Sequence, residues 1–244
     1  MRSLPSLRLF ALSALSALAL AGCEVATSSA PQTETRPSAA SPTTGNLGAN
    51  AAARQFVQVV ETVEPVAERL CRDRTRGLNC DFQIVVDDRP DQPANAFQTV
   101  DSFGRPILAF NIAMINSVQN ADELAFVMGH EAAHHIENHL TKTRESATLG
   151  AVIFAGTAAV LGAEAEVIRN AEQVGAAVGA RTYSKEFELE ADQLGTIIAH
   201  RAGYDPVRGA EFFARIPDPG DKFLGTHPPN ASRQEVVRRT AAGL

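Results

Sequence analysis

The sequence lacks an excess of positive charge, has few cysteines, and contains no apolar run that is both long and rich in large side chains. Its 22 Lys and Arg are outnumbered by 28 Asp and Glu. A formal charge of −6 and a pI near 5.5 exclude a nucleic-acid partner, because phosphate contacts need clustered basic side chains. Three cysteines are too few for a disulfide-built scaffold, and the odd count leaves one to be explained separately. Charged residues make up only 20% of the chain against 45% hydrophobic, which rules out a wholly disordered protein. A length of 244 residues suffices for one large domain or two small ones with a real core.

The apolar stretches that do occur are short or built of small residues. Leu9–Leu20, preceded by Arg2 and Arg8, has the pattern of an export leader and falls short of the roughly 20 residues a membrane span needs. The leader ends in Leu20-Ala21-Gly22-Cys23, which resembles the bacterial lipobox. That resemblance implies a lipidated Cys23 as the first residue of the mature chain, and it accounts for the odd cysteine. Loss of Arg2 and Arg8 with the leader (1–22) takes the formal charge from −6 to −8. Residues 24–50 are rich in Ser, Thr, Pro, Ala and Gly without apolar period, so 23–50 reads as a lipidated cysteine and flexible tether, and 51–244 as one domain. The second uncharged stretch, 146–163, is mostly Ala, Gly, Ser and Thr, and is expected to form a tightly packed helix rather than a span. Cys71 and Cys80 flank a polar loop, and in an exported protein such a pair is expected to be bridged. A zinc knuckle fits poorly there, since no second Cys/His pair lies nearby.

Within the domain, Phe56, Val59, Val60, Val63, Val66, Ala67 and Leu70 recur at helical spacing, with Pro65 expected to kink or divide the helix. Phe82–Val86 reads as a strand, and Ala96–Val100 with Pro106–Phe110 as a hairpin about Asp101–Gly104, which together predict a small antiparallel sheet. Asn120 and Glu123 make a capping-box-like start for a helix running to about Leu140. Another helix is predicted over Lys185–Arg201, a third starts at Asp205-Pro206, and Ser232 with Glu235 marks the last.

The chemistry centres on His130-Glu131-Ala132-Ala133-His134, an H-E-x-x-H motif inside a helix predicted on other grounds. Positions i and i+4 share one helix face, so both imidazoles can bind one metal while Glu131 projects beside them toward a bound water. His135 and His139 are offset from that face and read as surface or supporting histidines. A catalytic zinc needs a third protein ligand. In Ser184-Lys185-Glu186-Phe187-Glu188-Leu189-Glu190-Ala191-Asp192, the pairs Glu186/Glu190 and Glu188/Asp192 are both spaced i,i+4, and spacing does not choose between them.

H-E-x-x-H followed some fifty residues later by S-[RK]-x-x-E-x-x-A-D resembles the gluzincin family of the CAAX prenyl endopeptidases and HtpX proteases, and especially its soluble periplasmic BepA- and LoiP-type members. Further matching motifs are Asn95-Ala96-Phe97, Asp122-Glu123-Leu124-Ala125 leading into Gly129-His130, and Thr226-His227-Pro228 with Arg233; Gln234 departs from the usual aliphatic residue. The resemblance implies an α+β, mainly helical zincin-type domain with its small antiparallel sheet beside the H-E-x-x-H helix. It implies one Zn2+ held by His130, His134 and Glu188, with Glu131 as general base and Asp192 and Arg233 supporting the ligands. Substrate is expected to lie along Asn95, Ala96 and Phe97, and His227 to donate to the oxyanion or to close onto the metal. The function implied is a zinc metalloendopeptidase acting on unfolded or misassembled envelope proteins, anchored by lipid in a bacterial envelope and more in the outer than the inner membrane. The alternatives are a chaperone or adaptor for outer-membrane assembly machinery, and a membrane-embedded protease using 146–163.

Overall fold

The computed structural model describes residues 48–222, 225 and 227–244. The leader, Cys23, the tether up to residue 47 and Thr226 lie outside the described residues. Helix α1 (Ala49–Arg74) is followed by β1 (Gln83–Asp87), β2 (Ala96–Val100), β3 (Pro106–Asn111) and the short α2 (Ile112–Ser117). Helices α3 (Ala121–Ile136), α4 (His139–Val160), α5 (Ala165–Thr182) and α6 (Ser184–Arg201) follow, then α7 (Pro206–Gly209), a 3-10 turn over Ala210–Ala214 and α8 (Asn230–Ala241).

Helix α3 is the centre of the core. It buries Leu124, Ala125, Phe126, Val127 and Met128 in succession rather than on one stripe, as a helix surrounded by other elements must. Against it α1 presents Val59, Val63, Val66, Ala67 and Leu70, and Phe56 meets Phe110 of β3 edge-on at 5.4 Å between ring centroids. Pro65 neither ends nor divides α1, which runs unbroken through it. The ring lies on the exposed side, while the buried stripe continues on both sides of it, so packing overrides the local propensity. Cys71, in the last turn of α1, is bonded to Cys80, with Cα atoms 5.7 Å apart.

The sheet is mixed, not antiparallel throughout. Its strand order is β1-β3-β2, with β2 antiparallel and β1 parallel to β3. The chain reverses between Asp87 and Ala96, and the hairpin then inserts β3 between β1 and β2, which leaves β1 and β3 running the same way. The hairpin itself forms as expected, pairing Val100 with Pro106, and Asp101 Oδ1 accepts from the backbone N–H groups of Phe103 and Arg105. Strand β2 is left at an edge of the sheet.

Three helix boundaries differ from the sequence reading. Helix α3 is capped by the Asn120 side chain as expected, but ends at Ile136 instead of Leu140. Asn138 takes a left-handed conformation (φ 57°), which Asn tolerates better than most residues, and α4 departs in a new direction. Helix α8 starts at Asn230, so Ser232 lies inside it and does not cap. Helix α4 ends at Val160, so residues 146–160 form most of it and 161–163 lie beyond it; it packs on α5 through glycines: a Cβ at Gly150 would run into the Gly175 carbonyl, and one at Gly179 into that of Ser146. The outer side of this hairpin exposes Leu149, Val152, Ile153, Val160 and Leu161. Among the described residues no helix is long and apolar enough to cross a membrane.

Helices α3 and α6 touch through glycine as well. A Cβ at Gly195 would lie 2.8 Å from the His130 nitrogen and 3.0 Å from its Cα, and one at Gly129 2.8 Å from the Gly195 carbonyl oxygen. Both neighbours are backbone, so no side chain can move aside. Gly195→Ala is therefore expected to lower stability by about 1–3 kcal/mol, the usual cost of overpacking, despite alanine's better helix propensity. Urea unfolding against wild type measures it.

Candidate active site

The close crossing of α3 and α6 sets three side chains against one another. His130 and His134, one turn apart on α3, point their Nε2 atoms at each other across 3.0 Å. Glu188, from the second turn of α6, places Oε2 3.5 Å from His130 Nε2 and Oε1 3.3 Å from His134 Nε2. The three are largely buried. Glu190, the alternative acid, lies on another face and reaches His139 instead.

The hydrogen bonds behind these groups fix which atoms remain free. The Asp192 carboxylate lies 2.9 Å from His130 Nδ1 and accepts its N–H, which turns Nε2 toward the centre. Arg233 donates through Nε and an Nη to the two Asp192 oxygens at 2.7 Å each, and reaches Glu188 Oε2 at 3.3 Å. Its guanidinium lies 4.0 Å from the Phe213 ring centroid. Asp192 and Arg233 are both buried, so this bidentate pair also neutralises two charges that could not be buried singly.

The same contacts shift the charges of the cluster. Burial pushes the Glu188 carboxyl up, but hydrogen bonds from His130, His134 and His227 outweigh it and hold the group well below the usual carboxylate range. Burial likewise opposes a charge on His130, yet Asp192 and Glu188 push it up to about 10. Asp192 is lowered despite its burial, chiefly by Arg233. Two imidazole nitrogens and a carboxylate at mutual spacings of 3.0–3.5 Å match the ligand edges of a tetrahedral ion with bonds of about 2.0–2.1 Å. The donor set fits zinc.

This cluster forms one wall of a cavity of about 1040 Å³. Glu131 lines the same cavity beside the two histidines, on the face where a bound water would lie. The edge strand lines the cavity too, with Ala96 and the exposed Phe97; the Asn95 backbone is pinned to Asn111 by two hydrogen bonds of 3.0 Å. His227 comes from the segment before α8, is about half exposed, and sets Nδ1 3.2 Å from Glu188 Oε2. Ser184 at the start of α6 donates to the Gly225 carbonyl at 3.2 Å and so ties that segment to the helix bearing Glu188.

Sequence reasoning undervalued His139. It is buried, 3% exposed, and its Nδ1 lies 3.0 Å from His134 Nδ1. Five residues separate the two, which in a continuous helix would set them on different faces; only the break at Asn138 turns His139 back. His135 serves the scaffold, with Nε2 2.7 Å from the Asn79 carbonyl beside the disulfide and its ring edge-on to Phe82.

Asp192→Ala would strand a buried guanidinium and free the His130 ring. The expected result is a loss of about 3–5 kcal/mol of stability and a 10–100-fold weaker hold on metal, read by denaturant unfolding and by zinc titration.

Comparison with known proteins agrees with this geometry. Residues 53–241 match the family model described as Peptidase family M48. The chain is 31% identical over 135 residues to the putative beta-barrel assembly-enhancing protease of Vibrio cholerae, covering 52% of this chain and 27% of that protein. It is 27% identical over 151 residues to the beta-barrel assembly-enhancing protease of Escherichia coli K12, covering 53% and 29% respectively. The chain thus aligns with less than a third of the length of these relatives. With a match spanning the helices and the strand edge that build the site, the chain belongs to peptidase family M48.

Proposed function

We propose that this protein is a zinc-dependent metalloendopeptidase that hydrolyses peptide bonds in unfolded or misassembled envelope proteins. The observation that carries the reading is the convergence of His130 Nε2, His134 Nε2 and the Glu188 carboxylate beside Glu131, on a cavity also lined by a strand whose outer edge is unpaired among the described residues. Substrates, partners and location are inferred from the family and from the names of the relatives. The lipobox-like Cys23 supports a lipid anchor, and an outer-membrane, periplasm-facing site is the preferred location.

An extended substrate adds to β2 as a further strand, its main chain bonding the free edge near Ala96–Val100. Folded proteins offer no such segment, which favours unfolded chains as substrates. His130, His134 and Glu188 would hold the zinc, which when bound would supply a Lewis acid for the scissile carbonyl and lower the pKa of water. Glu131 accepts a proton from the attacking water and returns it to the leaving amine. Asp192 and Arg233 hold His130 in one tautomer and orientation. His227, half exposed with Nδ1 3.2 Å from Glu188 Oε2, is near enough to the ligands to donate to the oxyanion.

A second reading takes its support from the relatives' name, which speaks of enhancing barrel assembly. In it the domain acts chiefly as an adaptor for outer-membrane assembly machinery, with proteolysis minor or absent.

Glu131→Gln is expected to keep stoichiometric zinc and to lose at least about 100-fold of casein hydrolysis, the scale of one general base. Full activity in that variant overturns the mechanism, and a variant that still supports envelope function in cells favours the adaptor. Glu188→Ala should lose the metal; retained zinc at wild-type affinity would reject the ligand assignment.

A further inference from the structure

We propose that His139 and Glu190 are positioning residues for the metal site, forming a hydrogen-bonded relay that fixes the tautomer of His134. This deepens the zinc reading above and rests on it. The observation is a continuous line of contacts from the surface to the cluster. Glu190 Oε2 lies 3.0 Å from His139 Nε2, and His139 Nδ1 lies 3.0 Å from His134 Nδ1. His134 Nε2 then faces His130 and Glu188.

Proton counting gives the line a direction. A carboxylate only accepts, so His139 Nε2 carries the proton and His139 Nδ1 is a bare acceptor. His134 Nδ1 must then donate, which leaves its Nε2 lone pair free for metal. With the donor and acceptor roles reversed at Glu190, the chain inverts and His134 presents an N–H to the ion. One half-exposed carboxylate thus selects the ligating form of a histidine two side chains away.

The surroundings hold His139 in the one orientation that serves this role. Its ring stacks on Phe187 with centroids 4.5 Å apart and planes 14° from parallel, so a ring flip that exchanged Nδ1 for carbon would have to break that stack. Lys142 Nζ lies 3.9 Å from Glu190 Oε2 and keeps the carboxylate near the ring. The two ligand histidines are supported differently. His130 leans on Asp192 and Arg233 inside the core, whereas His134 is reached from a carboxylate that is 49% exposed. Helix α6 therefore supplies Glu188 directly, Asp192 behind one histidine and Glu190 behind the other.

The test compares Glu190→Lys with Glu190→Gln in the full chain. Lysine offers only donors and reverses the relay, whereas the glutamine amide oxygen still accepts from His139. Zinc affinity, by competition with a chromophoric chelator, should fall about 10–100-fold in Glu190→Lys and stay within about threefold of wild type in Glu190→Gln. The melting temperature of the metal-free Glu190→Lys protein should match wild type, since the residue is half exposed. Wild-type affinity in Glu190→Lys overturns the relay, as does a loss in Glu190→Gln about half as large, in logarithm, as that in Glu190→Lys, which would be a charge effect alone. Imidazole nitrogen NMR of the wild-type zinc form tests it without a variant: a proton on His139 Nδ1 refutes it, and one on Nε2 supports it. If wild type binds no zinc and Glu188→Ala changes nothing, the metal reading itself fails and the relay with it; zinc lost only on Glu188→Ala leaves the metal reading standing.

Discussion

The close contact of α3 with α6 at Gly129 and Gly195 is the constraint on which the site depends. Each helix contributes ligands that are useless alone: two imidazoles on α3, one carboxylate on α6. Their ligating atoms meet within 3.0–3.5 Å because the two backbones approach until a single Cβ would collide with a main-chain atom. Close packing of this kind transmits small displacements, since an interior packed at crystal density has no slack to absorb them. The α3 core beneath it, filled from Leu124 to Met128 without a polar break, gives the crossing a rigid support.

Around that contact Asp192, Arg233 and Glu188 are buried in contact with one another. Asp192 and Arg233 form a bidentate pair, and the same guanidinium reaches Glu188 and stacks on Phe213. The pair is not chiefly a source of stability, because two charges removed from water cost nearly what their attraction returns. Its value lies in orientation: it leaves His130 one way to hydrogen-bond, and so one lone pair to offer. Asp192 and Glu188 push His130 up against its burial, and hydrogen bonds from His130, His134 and His227 outweigh burial to hold Glu188 down. A cation among these groups would be met by two imidazole nitrogens and a carboxylate at once. The cavity beside it is large, and β2, whose outer edge lacks a partner among the described residues, lines it as well.

Much of this was legible in the sequence, and the misses share a cause. Local signals gave the Asn120 cap, the Asp205-Pro206 start, the hairpin about Asp101–Gly104 and the extent of α6, because capping and turn chemistry act within a few residues. Pro65 misled because its effect depends on whether the ring faces water or core. The sheet was misjudged because strand order is set by where a hairpin inserts, not by any strand's own residues. His139 was misplaced because a helix was extended through Asn138, whose left-handed turn brings the ring back against His134.

The sequence by itself determined the chemistry of the metal cluster. H-E-x-x-H on a helix sets two nitrogens on one face by the 3.6-residue period alone, and no tertiary contact is needed for that. It left the third ligand open between the pairs Glu186/Glu190 and Glu188/Asp192, since a helix shows its acids on several faces and spacing does not say which face meets α3; only the family resemblance chose. Tertiary structure placed Glu188 at the cluster and Glu190 on His139, through the approach of Gly129 to α6 and a helix break at Asn138, both far from the two acids in the chain. Periodicity fixes what one helix offers, and packing decides what it meets.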